Sequence, residues 1–280
     1  LTSPAYKSNQ NFRIQYYTGS VWLSLFSGVI QNVSISYVSE TKKLDITITA
    51  NDLMKVLLNT RLTNYVISGS STARSFRTVT NNLGTAVTAI DSRCVLSQWL
   101  SQGSGTTQWA AGWDDTTAGE ILTQFLDAEL GWSWASKDSN QIYYATRNDI
   151  NLIQSETWLS SNLTISNVHS TASNHVCMDF IDLSYDSDAI VNKVKVTEGL
   201  TTVTSTATNS SSVTNYGQQA GDFEVTFDNT GLSTLNAWAV AVANAASPKS
   251  IKSVSVPVIL DSGNPSLIAN IDIANNIQVE

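Results

Sequence analysis

Charge is what this sequence has least of. Only 14% of its 280 residues are Asp, Glu, Lys or Arg, against roughly a quarter in ordinary soluble domains. Ser, Thr and Asn carry the surface instead, which suits extended β-structure and contacts between chains. Positive charge is scarcest: 15 Lys and Arg stand against 23 Asp and Glu, a net charge of −8 with a pI near 4.7. A nucleic-acid binder needs a basic patch to displace phosphate counterions, and that class is excluded. The clearest apolar stretches, such as Ala237 to Ala246, fall far short of the ~20 residues that span a bilayer. Two cysteines, Cys94 and Cys177, are too few for a disulfide framework and are expected as buried thiols. No signal-peptide pattern opens the chain, and "LTSPAYKSNQNFRI" at Leu1 reads as the interior of a longer protein with its N-terminus removed.

What is present is alternation. "FRIQYY", "VWLSLFSGVIQNVSISYV" and "KKLDITITAND" place apolar residues at every second position over part of their length, the period of a half-buried strand. Thr18-Gly19-Ser20 separates the first two as a hairpin turn, and Glu40 to Lys43 precedes the third. The period then lengthens. "NDLMKVLLNTRL" sets Leu53, Val56, Leu57 and Leu62 on one helical face behind an Asn51 or Asp52 N-cap. Residues 1–67 are therefore expected as a β-meander closed by a short helix.

Residues 68–161 read as a mixed α/β middle domain or insertion. Ser68 to Thr80 and Ser101 to Gln108 are polar loop stretches, and "TAVTAIDSRCVLSQWL" is helical in part. "TTAGEILTQFLDAELGW" is a helix with a Thr117/Glu120 capping box. Its apolar face is Ile121, Leu122, Phe125 and Leu126, and Gly131 is its stop. "QIYYAT" follows as a strand.

Residues 162–280 return to alternation in "NLTISNV", "HVCMDFIDLSYD", "NKVKVTEG", "TVTSTAT", "DFEVTFDN" and "IKSVSVPVIL". Val194, Val196, Phe223, Val225, Phe227, Val254 and Val256 are expected inward. An Ala-rich helix, with Leu232, Leu235, Trp238, Val242 and Ala246 near one side, ends before Pro248. "SSVTNYGQQ", Ser211 to Gln219, reads as a turn that uses the freedom of Gly217. The outer thirds share one plan: strands with a short helix beside them.

Chemistry is harder to find. His169, His175, Cys177, Asp179 and Asp182 resemble metal ligands, but no second Cys/His pair exists and hard and soft donors mix without a known spacing. The Asp186/Asp188 pair opens like a calcium loop, yet it lacks the glycine at loop position six and has Thr197 where a glutamate belongs. Asp114 and Asp115 are adjacent, whereas a glycosidase pair faces one bond from two elements. No nucleophile elbow, phosphate loop, His-Glu-x-x-His or dinucleotide fingerprint occurs. The sequons at Asn32, Asn162 and Asn209 are what a chain rich in Asn, Ser and Thr contains by chance. Trp22, Trp158 and Trp238 fall within periodic segments and are expected in the core. Trp99, Trp109, Trp113, Trp132 and Trp134 crowd the middle third, where ordinary packing outweighs an exposed sugar-stacking platform. No catalytic, cofactor-binding or metal residue is expected.

The order of parts carries more than any residue. A strand with a "W-x-x-x-F-x-G-x-I" phrase (Trp22, Phe26, Gly28, Ile30) precedes an "A-x-D-x-x-x-x-L" helix start (Ala50, Asp52, Leu57). Later come "VNKVKVT", "SSVTNYGQQ", a strand, an Ala/Leu helix, "SPKSIKSVSVPV" and "SLIANIDIANNIQVE". This order resembles phage minor tail proteins of the tail-hub type, over both outer thirds. Gln218 and Gln219 stand where the family often has an arginine after Tyr-Gly, and Asn275 replaces its closing glycine, so a contact through that arginine does not carry over.

The resemblance implies a β-rich α+β chain with two related β-barrel or sandwich tube-type domains, each with a short packed helix. It implies a non-enzymatic virion protein of the tail tip or baseplate, forming a homotrimeric hub ring. Distal tail or tail tube proteins, the tape-measure protein and tip or fibre proteins would be its partners. DNA would pass without specific binding, and no membrane or cofactor would take part. A carbohydrate- or receptor-binding β module is the alternative, followed by a β-rich wall hydrolase.

Overall fold

The long second strand organises the first part of the chain. The computed structural model describes residues 7–17, 19–38, 43–66, 76–98, 112–129, 131–145, 163–166, 175–177, 180, 182–185, 190–198, 202–225, 236–237, 239–243, 251–255 and 277–279. Within them, β1 (Asn11–Tyr17), the 17-residue β2 (Trp22–Val38) and β3 (Lys43–Asp52) form an antiparallel sheet in the order β1-β2-β3. β1 covers the first half of β2, from Trp22 to Val29, and β3 covers the second, from Gly28 to Val38. The turn between β1 and β2 holds Gly19 at φ +97°, a conformation open to glycine.

The sheet leads into α1 (Met54–Asn59), which is shorter than the apolar pattern implied. Leu53 occupies the N-cap position without a side-chain bond, and the Asp52 carboxylate accepts from the Met54 N–H at 3.0 Å. Leu62 is buried as expected, but in the two-residue strand β4 (Arg61–Leu62). β4 pairs with β8 (Thr116–Thr117), and β5 (Tyr65–Val66) pairs with β7 (Gly112–Trp113). Between the two ladders Asn64 and Asp115 both take positive φ, 52° and 50°, which Asn and Asp tolerate best among residues with a Cβ.

α2 (Phe76–Ile90) begins inside the stretch expected as loop. Its buried stripe of Val79, Leu83 and Val87 offers one large apolar residue per turn. Threonines, asparagines and Gly84 fill the rest and lower the helix propensity that a sequence pattern detects. α3 (Ala118–Glu129) matches its pattern closely. The Thr117 hydroxyl donates to the Glu120 carboxylate at 2.8 Å and accepts the Glu120 N–H at 3.2 Å, while Ile121, Leu122, Phe125 and Leu126 are all buried. β6 (Val95–Gln98), β10 (Gln141–Ala145) and β9 (Trp132–Ala135) form a sheet with β10 central, parallel to β6 and antiparallel to β9.

Further along, β11 (Leu163–Ser166) pairs in parallel with β12 (His175–Cys177) and with the distant β18 (Ile277–Val279). β13 (Asp182–Tyr185) pairs with β17 (Ile251–Ser255). The best-defined late unit is β14 (Lys193–Glu198), flanked by β15 (Thr204–Thr208) and the parallel β16 (Ala220–Val225). Val194, Val196 and Val225 are buried and Phe223 is half-buried, as alternation requires. Phe227, Val254 and Val256 lie outside the residues whose side chains are described. Residues 236–237 and 239–243 are helical, with Ala239 and Ala243 buried. Leu232, Leu235, Trp238 and Ala246 of the expected face lie outside the described residues.

"SSVTNYGQQ" is not a simple turn. Ser210–Tyr216 is a helix, α4, that crosses over the start of β14 between β15 and β16. The Asn209 side chain caps it by accepting from the Ser212 N–H at 3.0 Å. Gly217 ends it at φ 74°, ψ 174°, a region essentially reserved to glycine. Beneath the helix sits Asn192, fully buried. Its amide donates to Ser212 Oγ and the Gly217 carbonyl, and its Oδ1 accepts from the Gln219 N–H. Its covered residues are the buried Ser212 and the half-buried Val213, so the helix has no apolar stripe to announce it.

The first sheet, the three helices α1 to α3, β6, β10, β14 and β16 share one core. A contiguous buried cluster runs from Val29 of β2 through Leu57 of α1, Leu83 of α2 and Phe125 of α3 to Val194 and Val196 of β14. The fold is β-rich α+β, and among the described residues every sheet is open, with two or three strands.

Candidate functional site

The feature that the core does not absorb is the β1–β2–β3 sheet. More than half of the large apolar side chains exposed among the described residues belong to it and its hairpin. Two β-bulges make one of its faces continuously apolar. Register shifts at Leu25, between the pairs Ile14↔Phe26 and Gln15↔Ser24, and at Gln31, between Ile30↔Ala50 and Asn32↔Thr49. Each inserts one residue in β2 and so reverses its alternation. Leu23, then Phe26 and Ile30, then Val33, Ile35 and Tyr37 thereby come to one side, together with Ile14 and Tyr16 of β1 and Leu44, Ile46 and Ile48 of β3.

The residues of the two N-terminal phrases meet at the root of this sheet. Gly28 lies opposite Asp52, and Ile30 lies opposite Ala50. A Cβ on Gly28 would sit 2.0 Å from the Asn51 carbonyl oxygen and 2.8 Å from the Phe26 ring, so only glycine lets the strands approach so closely. Val29 and Ile30 are buried there. Away from the root the sheet opens to solvent: Ile35, Tyr37, Leu44 and Ile46 are exposed, Leu44 by 65%. Their other face carries Ser34, Ser36, Asp45 and Thr47.

At the opposite end the aromatic residues dominate. Trp22 was expected in the core and is instead 61% exposed. It stands across from Tyr17, the ring centroids 4.8 Å apart, and the Tyr17 hydroxyl donates to the Gly19 carbonyl at 2.8 Å. Its segment is periodic, but it lies at the far end of the β1–β2 hairpin from the buried root at Val29 and Ile30. Trp158 and Trp238 lie outside the described residues.

A clamp fixes the sheet to the body. Asn9, at φ 67°, donates its N–H to the Ile30 carbonyl at 2.7 Å. Arg93, in the turn between α2 and β6, donates to the Asn9 carbonyl at 2.6 Å and to its Oδ1 at 2.9 Å, while its Nε binds Asp91. The Arg93 hydrogen bonds hold the Asp91 carboxyl below its ordinary value. A carboxylate depressed on folding stabilises the fold above its unfolded pKa of about 3.9, and this contribution is lost as pH falls through the folded value. The stability advantage of the native chain over Asp91→Asn is therefore expected to be full at pH 6 and to shrink below about pH 4. Urea midpoints at the two pH values measure it; a gap independent of pH would contradict the clamp.

The residues with catalytic or metal-binding chemistry do not assemble into a site among the described residues. The buried Cys94 thiol is pushed up to about 12 by burial and then by Asp91, so at neutral pH it is no nucleophile. Cys177 is half-buried, and both cysteines are free. His175 and Cys177 both belong to β12, but His169 and Asp179 lie outside the described residues, and no group of three metal-ligating side chains forms among those described. Asp114 and Asp115 belong to the junction between the short ladders: Asp114 accepts from the Asn64 N–H, and Asp115 pairs with Arg61 at 3.2 Å. Trp113 is half-buried between Tyr65 and Phe125 and donates to Gln124 at 3.0 Å. Trp134 is buried, whereas Trp132 is exposed; Trp99 and Trp109, like Asp186 and Asp188, lie outside the described residues. The described middle-third tryptophans are thus mainly packing residues. Gln218 accepts weakly from Lys193 Nζ at 3.5 Å, and the turn it occupies is held through Asn192.

Neither a protein-family model nor a curated protein matches the sequence. Solved structures do. The tail protein from Neisseria meningitidis MC58 superposes with a TM-score of 0.51 at 12% identity, over 77% of this chain and 59% of that one. The chain has a tail-protein fold. Lesser likenesses are to the prophage tail protein gp18 from Listeria monocytogenes EGD-e (TM-score 0.43, 11% identity, 73% and 57% covered) and to the 43 kDa tail protein of prophage MuSo2 from Shewanella oneidensis (0.46, 12%, 87% and 62%). The first of these is named a tail protein, the class that the order of motifs resembles, and the other two are named as prophage tail proteins. The chain spans about three-fifths of the length of each.

Proposed function

We propose that this chain is a structural component of a phage tail, one subunit of a ring at the tail tip or baseplate that joins the tail tube or distal tail ring to the tip. The observation that carries the reading is the exposed apolar sheet, rooted in the core at Val29 and Ile30 and uncovered along the rest of its length. The largest exposed apolar patch of a monomer is often a binding site, and the tail-protein fold makes other tail subunits the natural partners. Three copies, each supplying two related tube-type domains, would give a pseudo-sixfold ring, and the open sheets would close into a barrel only between domains and copies.

The ring would let DNA through without holding it. A chain with a net charge of −8 repels the phosphate backbone, so a lumen it lines is non-adhesive. The role needs no catalysis. Tape-measure, tip and fibre proteins would contact the same ring.

Native mass spectrometry and sedimentation velocity on the purified chain test the reading. A closed trimer that does not shift on DNA is expected, and a monomer at tens of micromolar would contradict it.

A further inference from the structure

The exposed residues of the sheet form two surfaces of different character. One is the ribbon of β2 and β3, flat and one-faced: Ile35, Tyr37, Leu44 and Ile46 on one side, serines, Thr47 and Asp45 on the other. The second is the β1–β2 hairpin, which presents apolar groups on both sides. Tyr17 and Trp22 occupy one face, Tyr16 the other, and Leu25 stands at the bulge. Trp22 and Tyr37 belong to the same strand, about 50 Å apart at ~3.3 Å per residue.

Neither the apolar side of the ribbon (Ile35, Tyr37, Leu44, Ile46) nor the hairpin's apolar set (Tyr16, Tyr17, Trp22, Leu25) includes a charged side chain. In a chain of net charge −8, they are places where two copies can meet without like-charge repulsion at the contact. Symmetry then limits how. A two-fold contact pairs a surface with itself. Ribbon against ribbon would leave Tyr17 and Trp22 in water, and hairpin against hairpin would leave Ile35, Tyr37, Leu44 and Ile46 there. A head-to-tail contact covers both at once.

We propose that the aromatic hairpin of one copy, led by Trp22 and Tyr17, docks on the apolar ribbon face of the next, built by Ile35, Tyr37, Leu44 and Ile46. The inference rests on the ring reading and supplies its contact. The size of the surfaces favours closure. A ribbon ten residues long and two strands wide offers roughly 300 Å² per face, well under the ~800 Å² per partner of a standard interface. One contact alone is weak, whereas a closed ring engages both surfaces of every copy.

Complementation tests it. One variant of the intact chain carries Tyr17→Ser and Trp22→Ser, and another carries Ile35→Asp and Ile46→Asp; all four positions are exposed, and circular dichroism verifies folding. Should the aspartates disturb the ribbon, Ile35→Thr with Ile46→Thr keeps β-propensity and reads the same contact. By sedimentation velocity each variant alone is expected to be monomeric where the native chain forms the ring. An equimolar mixture at high concentration is expected to show weak, reversible 1:1 association through the one intact contact, which neither variant shows alone. Ring formation by either variant alone, or a mixture that stays monomeric, overturns this contact while a native ring leaves the proposed function standing. A monomeric native chain overturns both.

Discussion

Replacing Phe125 with alanine is expected to destabilise the fold by about 3–5 kcal/mol, measured by urea unfolding with an unchanged m-value. The ring is fully buried in the cluster where α1, α2 and α3 meet. Its loss would leave a cavity and remove the edge contact with Trp113, whose ring centroid is 5.7 Å away. Trp113 cannot drop into the space, because its indole is held to Gln124 and against Tyr65. The shape of the transition is informative as well. Ala118 donates its N–H to the Thr60 carbonyl at 2.8 Å, and β4 pairs with β8, so α3 is tied by backbone and core to α1. The β1–β3 sheet, rooted in the same cluster through Val29, should therefore melt together with α3. Tryptophan fluorescence and far-ultraviolet dichroism are expected to report one coincident transition. A loss under 1 kcal/mol, or a sheet that outlasts α3, would show that the core is not shared.

Gly28→Val is expected to be at least as severe, through backbone rather than cavity. Its first side-chain atom would meet the Asn51 carbonyl at 2.0 Å, and a backbone oxygen cannot step aside as a flexible side chain can. β3 would have to move away from β2 at Gly28↔Asp52, taking the Asp52 bond to the Met54 N–H with it. Overpacking costs typically ~1–3 kcal/mol and more when backbone must shift; here the expected loss is over about 3 kcal/mol, with α1 and the ribbon affected together. Even Gly28→Ala should be costly. An alanine variant with the native unfolding midpoint would contradict the close approach.

How much of this was legible in the sequence depends on whether side-chain pattern or backbone pairing made the element. α3 was readable to the residue, because its capping box and four buried apolar residues all point the same way. β14 to β16 were readable by period. α2 was half-missed because three core residues are diluted among threonines and asparagines. α4 was missed because its existence depends on Asn209 and Gly217 at its ends and on Asn192 beneath it, a residue some twenty positions away in sequence.

The exposed apolar sheet shows the same limit. Its apolar residues were visible as alternation, which ordinarily signals a strand with one side on a core. Trp22 was assigned inward on that ground. Period alone cannot say whether the apolar side meets this chain or another, and the two bulges that align the face, at Leu25 and Gln31, break the period where it matters. The order of phrases was a better guide: it pointed to tail proteins, and its residues proved to be cross-strand partners at Gly28↔Asp52 and Ile30↔Ala50.

The proposed function is positional: a ring at the end of a phage tail. Electron microscopy of assembled particles carrying a tagged copy of the chain tests it most directly. The account predicts tag density in a threefold ring around an axial channel at the distal end of the tail. Tag density spread along the tube, or a single compact copy off the axis, would contradict it.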